Sequence, residues 1–242
     1  MKHFIQYNGL KIEYSIVYRN RKTVGISVSA ERGVQVAAPK WVSKSQIHEI
    51  ILGKAPWVLN KLSYINEIKA STPEKDFKSG ENILYLGENL QLGVQEHPQL
   101  YSSSVSLIGD KILVTIPSHL SYDERRDVIR YSLIEWYKNR VSDIVKERLQ
   151  YFTNLTGLQP VKVLIKEHKR IWGSCTGKNT ININWKIVMA PLPIIDYLIV
   201  HELAHIKIKN HSSQFWNLVA SILPDCKESS KWLKKNGYKL RI

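Results

Sequence analysis

Between residues 4 and 38, apolar and polar positions alternate with period two, most cleanly over Thr23-Val24-Gly25-Ile26-Ser27-Val28-Ser29 and Gly33-Val34-Gln35-Val36-Ala37. Successive side chains of a strand point to opposite faces, so the pattern predicts half-buried strands, with Glu31-Arg32-Gly33 as a hairpin turn. From Ser43 the period becomes helical: Ile47, Ile51, Val58, Leu62 and Ile65 share a face, and Ser43 with Gln46 forms a capping-box signature. Gly53 and Pro56 predict a helical hairpin or a kinked helix over about 44–69. Strand-like runs follow at 83–86, 90–94 and 111–116. A second capping box, Ser121 with Glu124, opens a long helix to about residue 155, with Val141, Ile144, Val145, Leu149 and Phe152 on one stripe. Beyond Gly157 and Pro160 the pattern predicts strands over 161–166 and 180–186, separated by a Gly/Ser/Cys turn. Helices are predicted over about 193–209, 211–222 and 226–236, with Gly237 as a cap. No internal repeat is legible, and only 71–80 reads as a linker. The expectation is an α+β chain: a β-rich part over 1–118 and a second part over 119–242, joined as one continuous unit.

Composition narrows the class. With 242 residues, 43% of them hydrophobic and 23% charged, the chain is long enough to bury a core and too apolar for a disordered tail. No apolar run approaches the ~20 residues that span a bilayer, so no membrane partner is expected. The first nineteen residues mix Lys2, Gln6, Asn8, Lys11 and Glu13 among apolar ones, so no signal-peptide core is expected either. Cys175 and Cys226 are expected to be reduced thiols in a cytoplasmic protein. The unusual quantity is a net charge of +14. Residues 1–70 carry 11 basic and 4 acidic groups, and residues 161–242 carry 14 and 5. A field of this sign favours polyanions, nucleic acid among them, although scattered lysines can also serve solubility alone.

The candidate chemistry lies in His201-Glu202-Leu203-Ala204-His205, followed by His211. On a helix, positions 201 and 205 project from one face a turn apart, so both imidazoles can reach one metal ion. Glu202, offset by about 100°, can take a proton from water held by that ion. A catalytic zinc uses three protein ligands and leaves a fourth position for water, and His211, just past the expected helix end at Lys209-Asn210, can turn back as the third ligand. Ile194, Ile195, Leu198, Ile199, Val200 and Leu203 make the helix nearly all apolar and hence buried. The remaining histidines, His3, His48, His97, His119 and His168, are scattered. The ligand spacing equals that of metzincins, but those enzymes carry Gly where this chain has Ile208 and a methionine turn downstream. Here both methionines, Met1 and Met189, precede the motif, so that family does not fit.

Trp172-Gly173-Ser174-Cys175, Ile181-Asn182-Ile183-Asn184-Trp185, Ala190-Pro191, Ile195-Asp196-Tyr197, the histidine motif, Asn210-His211-Ser212 and Phe215-Trp216 together resemble the YgjP-like predicted zinc metallopeptidases. That family is a relative of the SprT-like and WLM zincins. The resemblance extends over almost the whole chain through Arg21-Lys22-Thr23, Ala38-Pro39, Trp57 and Tyr85-Leu86-Gly87. It implies a zincin-like catalytic region over 119–242, its HExxH helix packed on a small sheet. It also implies Zn2+ at His201, His205 and His211, with Glu202 as the base. It gives Thr180 to Trp185 a role as well: with Thr180, Asn182 and Asn184 on one face, that strand would border the cleft and pair with extended substrate.

The first expectation is a zinc-dependent hydrolase, a metallopeptidase acting on peptide or protein through a zinc-bound water activated by Glu202. An alternative keeps the site and cleaves a nucleotide or other phosphoanhydride, its charge met by Lys and Arg. A second alternative is a DNA-associated protease of the SprT-like type, with Arg19, Arg21, Lys22 and Arg32 as its footing on nucleic acid. The oxyanion donor and the oligomeric state are not legible.

Overall fold

The computed structural model describes residues 2–29, 31–71 and 75–242. Of the expected linker 71–80, positions 72–74 lie outside the described residues. The chain divides into two compact units, residues 1–74 and 75–242, each with its own apolar core. The strands between 82 and 117, grouped by sequence with the N-terminal part, therefore share a core with the helices that follow them. Among the described residues, no helix is long and apolar enough to cross a membrane.

The first unit runs β1 (Lys2–Tyr7), β2 (Leu10–Tyr18), β3 (Gly25–Ser29), β4 (Gly33–Ala38), α1 (Lys44–Gly53) and α2 (Ala55–Ser71). Its sheet has the order β1-β2-β4-β3, with β2 parallel to β4 and the outer pairs antiparallel. Asn8-Gly9 joins β1 to β2 with φ of 48° and 77°, the left-handed pair that an Asn-Gly hairpin adopts. Ile5, Ile12, Val34 and Val36 alternate inward and form one core with Ile47, Ile51 and Val58 of the helices. The expected break between the helices falls at Lys54, with Pro56 in the first turn of α2, where its missing N–H costs nothing.

The second unit continues with β5 (Asn82–Tyr85), β6 (Glu88–His97), β7 (Ser104–Ile108), β8 (Lys111–Pro117) and the 35-residue α3 (Tyr122–Thr156). The sheet order is β5-β6-β8-β7, with β6 parallel to β8 and the outer pairs antiparallel. This is the topology of the first sheet again, strand for strand, and the details repeat with it. Leu86-Gly87 turns with φ of 49° and 88°, as Asn8-Gly9 does, and Ser121 with Glu124 closes a capping box as Ser43 with Gln46 does. Pro39 and Pro117 both leave the inner strand ahead of that cap. The repeat was invisible in sequence because turn geometry and alternation are shared while the residues filling them are not.

The rest of the unit comprises β9 (Lys162–Lys166), β10 (Gly173–Cys175), β11 (Thr180–Asn184), a short 3-10 turn (Trp185–Met189), α4 (Leu192–Lys207), α5 (Ser213–Ile222) and α6 (Cys226–Asn236). The β5–β6 hairpin tip docks on the segment that leads into α4: Leu86 N donates to Val188 O at 2.9 Å and Gly87 N to Met189 O at 3.0 Å. Arg148 of α3 grips Asp196 of α4 with two hydrogen bonds of 2.6 and 2.8 Å, which fixes the rotation of α4 about its axis.

Gly87 combines a φ of +88° with a backbone approach: an added Cβ would lie 2.7 Å from Pro191 Cγ and 3.2 Å from its Cα. At Gly9, φ is +77° and an added Cβ would meet nothing within 4 Å. Gly9→Ala should therefore cost only the strain of a left-handed alanine, about 1 kcal/mol, whereas Gly87→Ala should cost more by displacing the start of α4. Urea denaturation of the two variants checks this; equal losses would show that the Gly87 contact carries no weight.

Candidate metal centre

Helix α4 is buried nearly all round, with Ile194, Ile195, Leu198, Ile199, Val200, Leu203 and Ala204 in the core. It ends at Lys207, two residues before the expected end, where Ile208 turns extended at φ −129° and ψ 107°. Asn210 Oδ1 accepts from Ser212 N at 3.2 Å, and the chain returns toward the helix it has just left. That return brings His211 back: its Nε2 lies 3.1 Å from Nε2 of His201 and 3.2 Å from Nε2 of His205. Among the described residues, these three form the one cluster of at least three His, Cys, Asp or Glu donors suited to a metal ion.

The donor chemistry tests whether an ion fits. His205 Nδ1 lies 3.0 Å from Ile208 O, so the ring proton sits on Nδ1 and the Nε2 lone pair is free. A tetrahedral ion with bonds of roughly 2.0–2.1 Å separates its donor atoms by about 3.4 Å, within a few tenths of the two spacings seen. Burial, then His205 and His211, depress His201 to about 4, and burial also lowers His205, so both rings are neutral with lone pairs available at neutral pH. The residues fit a divalent ion. Phe215 of α5, fully buried, packs against all three imidazoles at centroid distances of 4.4 to 4.9 Å, and Trp216 lies 5.7 Å from His201. The place of this aromatic pair, four and five residues after His211 at the start of a helix, is the sequence signal for its role.

Glu202 projects from α4 onto β10. It is 3% exposed, its Oε2 has no hydrogen-bond partner, and burial pushes its carboxyl up to about 8. The carboxylate occupies the space above Gly173, where an added Cβ would lie 2.5 Å from Oε1 and 2.9 Å from Cδ. Gly173 is thus needed as a glycine because the Glu202 side chain takes the volume of its missing Cβ. Cys175, two residues along the same strand, is half-buried with its thiol raised chiefly by burial; Lys209 Nζ stands 4.0 Å from its sulfur. Lys209 also donates to Asn179 Oδ1 at 2.7 Å and Thr176 O at 3.3 Å, tying the turn after α4 to the β10–β11 turn. Both cysteines are free thiols.

The strand over Thr180 to Trp185 does not have the expected place. β11 is the central strand, paired with β10 on one side and β9 on the other, so it has no free edge for an added strand. Its polar face is covered too: Asn182 is 6% and Asn184 3% exposed. Asn184 Nδ2 donates to His168 O and Ile171 O at 2.9 and 3.0 Å, pinning the loop that carries Lys169 and Arg170 over that face. The free edge beside Glu202 belongs to β10.

No curated protein matches the chain. Among solved structures it is similar to the metallopeptidase zymogen abylysin of Pyrococcus abyssi, at 28% identity over 38% of this chain and 93% of that one, with a TM-score of 0.35. It is similar also to the metallopeptidase zymogen jannalysin of Methanocaldococcus jannaschii, at 29% identity over 39% and 94%, with a TM-score of 0.33. The sequence model of the YgjP-like metallopeptidase domain matches residues 22–236, which takes in β3 and β4 of the first strand module, the whole of the second, Gly173, Glu202 and all three histidines. On that match, the chain belongs to the YgjP-like metallopeptidase family.

Proposed function

We propose that the protein is a zinc-dependent peptidase in which His201, His205 and His211 hold the ion and Glu202 is the general acid and base. The supporting observation is the convergence of three imidazoles, their Nε2 atoms 3.1 and 3.2 Å apart, beside a buried Glu202 carboxyl with an unpartnered oxygen. A bound zinc would supply Lewis acidity, polarising the scissile carbonyl and lowering the pKa of water to about 7. Glu202 Oε2 accepts one proton of the attacking water while the water oxygen bonds to the carbonyl carbon. When the C–N bond breaks, the same carboxyl returns that proton to the leaving nitrogen. Burial raises this carboxyl in the metal-free site, and so favours its keeping the proton between the two steps. Gly173 lets Glu202 stand where it does, and the free edge of β10 is positioned for an extended peptide to pair alongside.

Glu202→Gln should lower kcat/KM on a peptide library by about 10²–10⁴-fold while bound zinc, read by elemental analysis, stays at one per chain. His211→Ala should lose the metal; full zinc occupancy in that variant would remove it from the ligand set. Cleavage of nucleoside triphosphates but of no peptide would overturn the substrate class. Gly173→Ala should keep the zinc and lower kcat, because the new methyl must push the Glu202 carboxylate aside; an unchanged kcat would refute the packing argument.

The metal-free protein has its own pH signature. The Glu202 carboxyl sits near 8 when folded against an ordinary value of 4.5, so the unfolded chain ionises first. Folded stability from this group is thus full below the ordinary value and lost as pH rises toward 8, by a few kcal/mol. After chelation, Glu202→Gln should be more stable than the parent at pH 8 and nearly equal to it at pH 4.5, as read by denaturant midpoints. Equal stability at both values would show that the carboxyl is not desolvated.

A further inference from the structure

The duplicated strand module contains its own control for the positive charge of the N-terminal unit. Where β2 and β4 end and β3 begins, two connections meet: Tyr18 pairs with Ala38, Arg19 N donates to Ala38 O at 2.9 Å, and Gly25 pairs with Ala37. Arg19, Arg21 and Lys22 lie on one connection, Lys40 lies on the other and Lys44 opens the helix that follows it, so five cations gather at one end of the sheet. Neither stretch, 14–29 or 32–48, contains an acidic residue. Arg19, Lys22, Lys40 and Lys44 are exposed, and among the described residues none of them pairs with a carboxylate. Arg32, expected to belong to this group, lies with Glu31 at the opposite end of β4, some ~17 Å away at ~3.3 Å per residue. That exceeds the screening length of ~8 Å at physiological salt, so Glu31 does not neutralise the cluster.

The second module builds the same end of the same sheet without this charge. Its connections, 97–103 and 118–122, contain no Lys or Arg. Its helix α3 opens with Asp123 and Glu124 in the first turn, as the positive end of a helix dipole favours. Helix α1 opens with no acidic residue in its first turn and with Lys44 at its first position, against that preference. The cations are therefore not required by the fold that the modules share.

Aromatic faces stand among the cations. Trp41 is 74% exposed at the tip of a turn whose ends are fixed by buried Pro39 and Val42, with Val42 N donating to Pro39 O at 3.2 Å. Tyr18, 40% exposed, closes the same end of the sheet. A held, outward tryptophan beside a row of cations matches a strand with unstacked bases: phosphates meet the cations and a base stacks on the indole. A duplex, whose bases stack on one another, presents no face to it.

We propose that this end of the N-terminal sheet binds single-stranded nucleic acid, through phosphate contacts from Arg19, Arg21, Lys22, Lys40 and Lys44 and base stacking on Trp41. The proposal concerns the first unit alone and does not depend on the peptidase reading. Its test is fluorescence anisotropy of the full chain with a labelled 15-nucleotide single-stranded DNA and its RNA counterpart. The comparison probes are the matching duplex, a poly-glutamate peptide and phosphatidylglycerol-containing vesicles. Single strands should bind with log K falling against log salt at a slope of about −3, for four or five phosphates. Trp41→Ala should weaken binding at least about fivefold with the slope unchanged. The double variant Arg19→Ala, Lys22→Ala should flatten the slope by about 1.4. All three side chains substituted are exposed, so thermal melting should match the parent in each variant. Unchanged affinity in Trp41→Ala, or duplex, poly-glutamate or vesicles bound as tightly as single strands, overturns the proposal.

Discussion

The exclusion of water from one face of α4 is the constraint on which the centre depends. A carboxylate and two imidazoles on a buried helix lose hydration, and each responds by favouring its neutral form: Glu202 moves up to about 8 and His201 down to about 4. Neutral imidazoles offer lone pairs to an ion, while the raised Glu202 carboxyl favours its acid role; the charge of a bound ion would draw it back toward the carboxylate that the base role needs. Left without an ion, the desolvation is a liability to the fold, because three ring nitrogens converge and Glu202 Oε2 has no partner.

The surrounding structure keeps that face in place. Arg148 with Asp196 sets the rotation of α4, the β5–β6 tip sets its start, and Phe215 packs against the three rings from α5. Gly173 supplies the volume that Glu202 occupies, and Lys209 couples the turn carrying His211 to the β10–β11 turn. These contacts come from segments far apart in sequence, and each acts through shape or a directed hydrogen bond. The strand module built twice shows the same fold put to two uses. The second instance shares its core with α4, while the first has its own core and bears the basic end.

Local rules were legible in the chain. Both capping boxes sit where Ser43 with Gln46 and Ser121 with Glu124 placed them, and the break near Gly53 and Pro56 separates two helices. The one-turn spacing of His201 and His205 and the return of His211 also followed from sequence, since helix geometry relates neighbours in the chain. The position of the Thr180–Asn184 strand did not follow. Alternation tells which residues share a face, but not whether both edges of the strand are paired or what covers its polar side.

By itself, then, the sequence determined the element types, the histidine spacing and the sign of the charge, all of which depend on residues within a few positions of one another. Tertiary structure decided that β10 has the free edge, that Gly173 lies under Glu202, and that Arg32 stands apart from Arg19, Lys22 and Lys40. It also showed that one module is built twice. These are relations between segments brought together by packing, and residue order carries no distance for such pairs until the cores have closed.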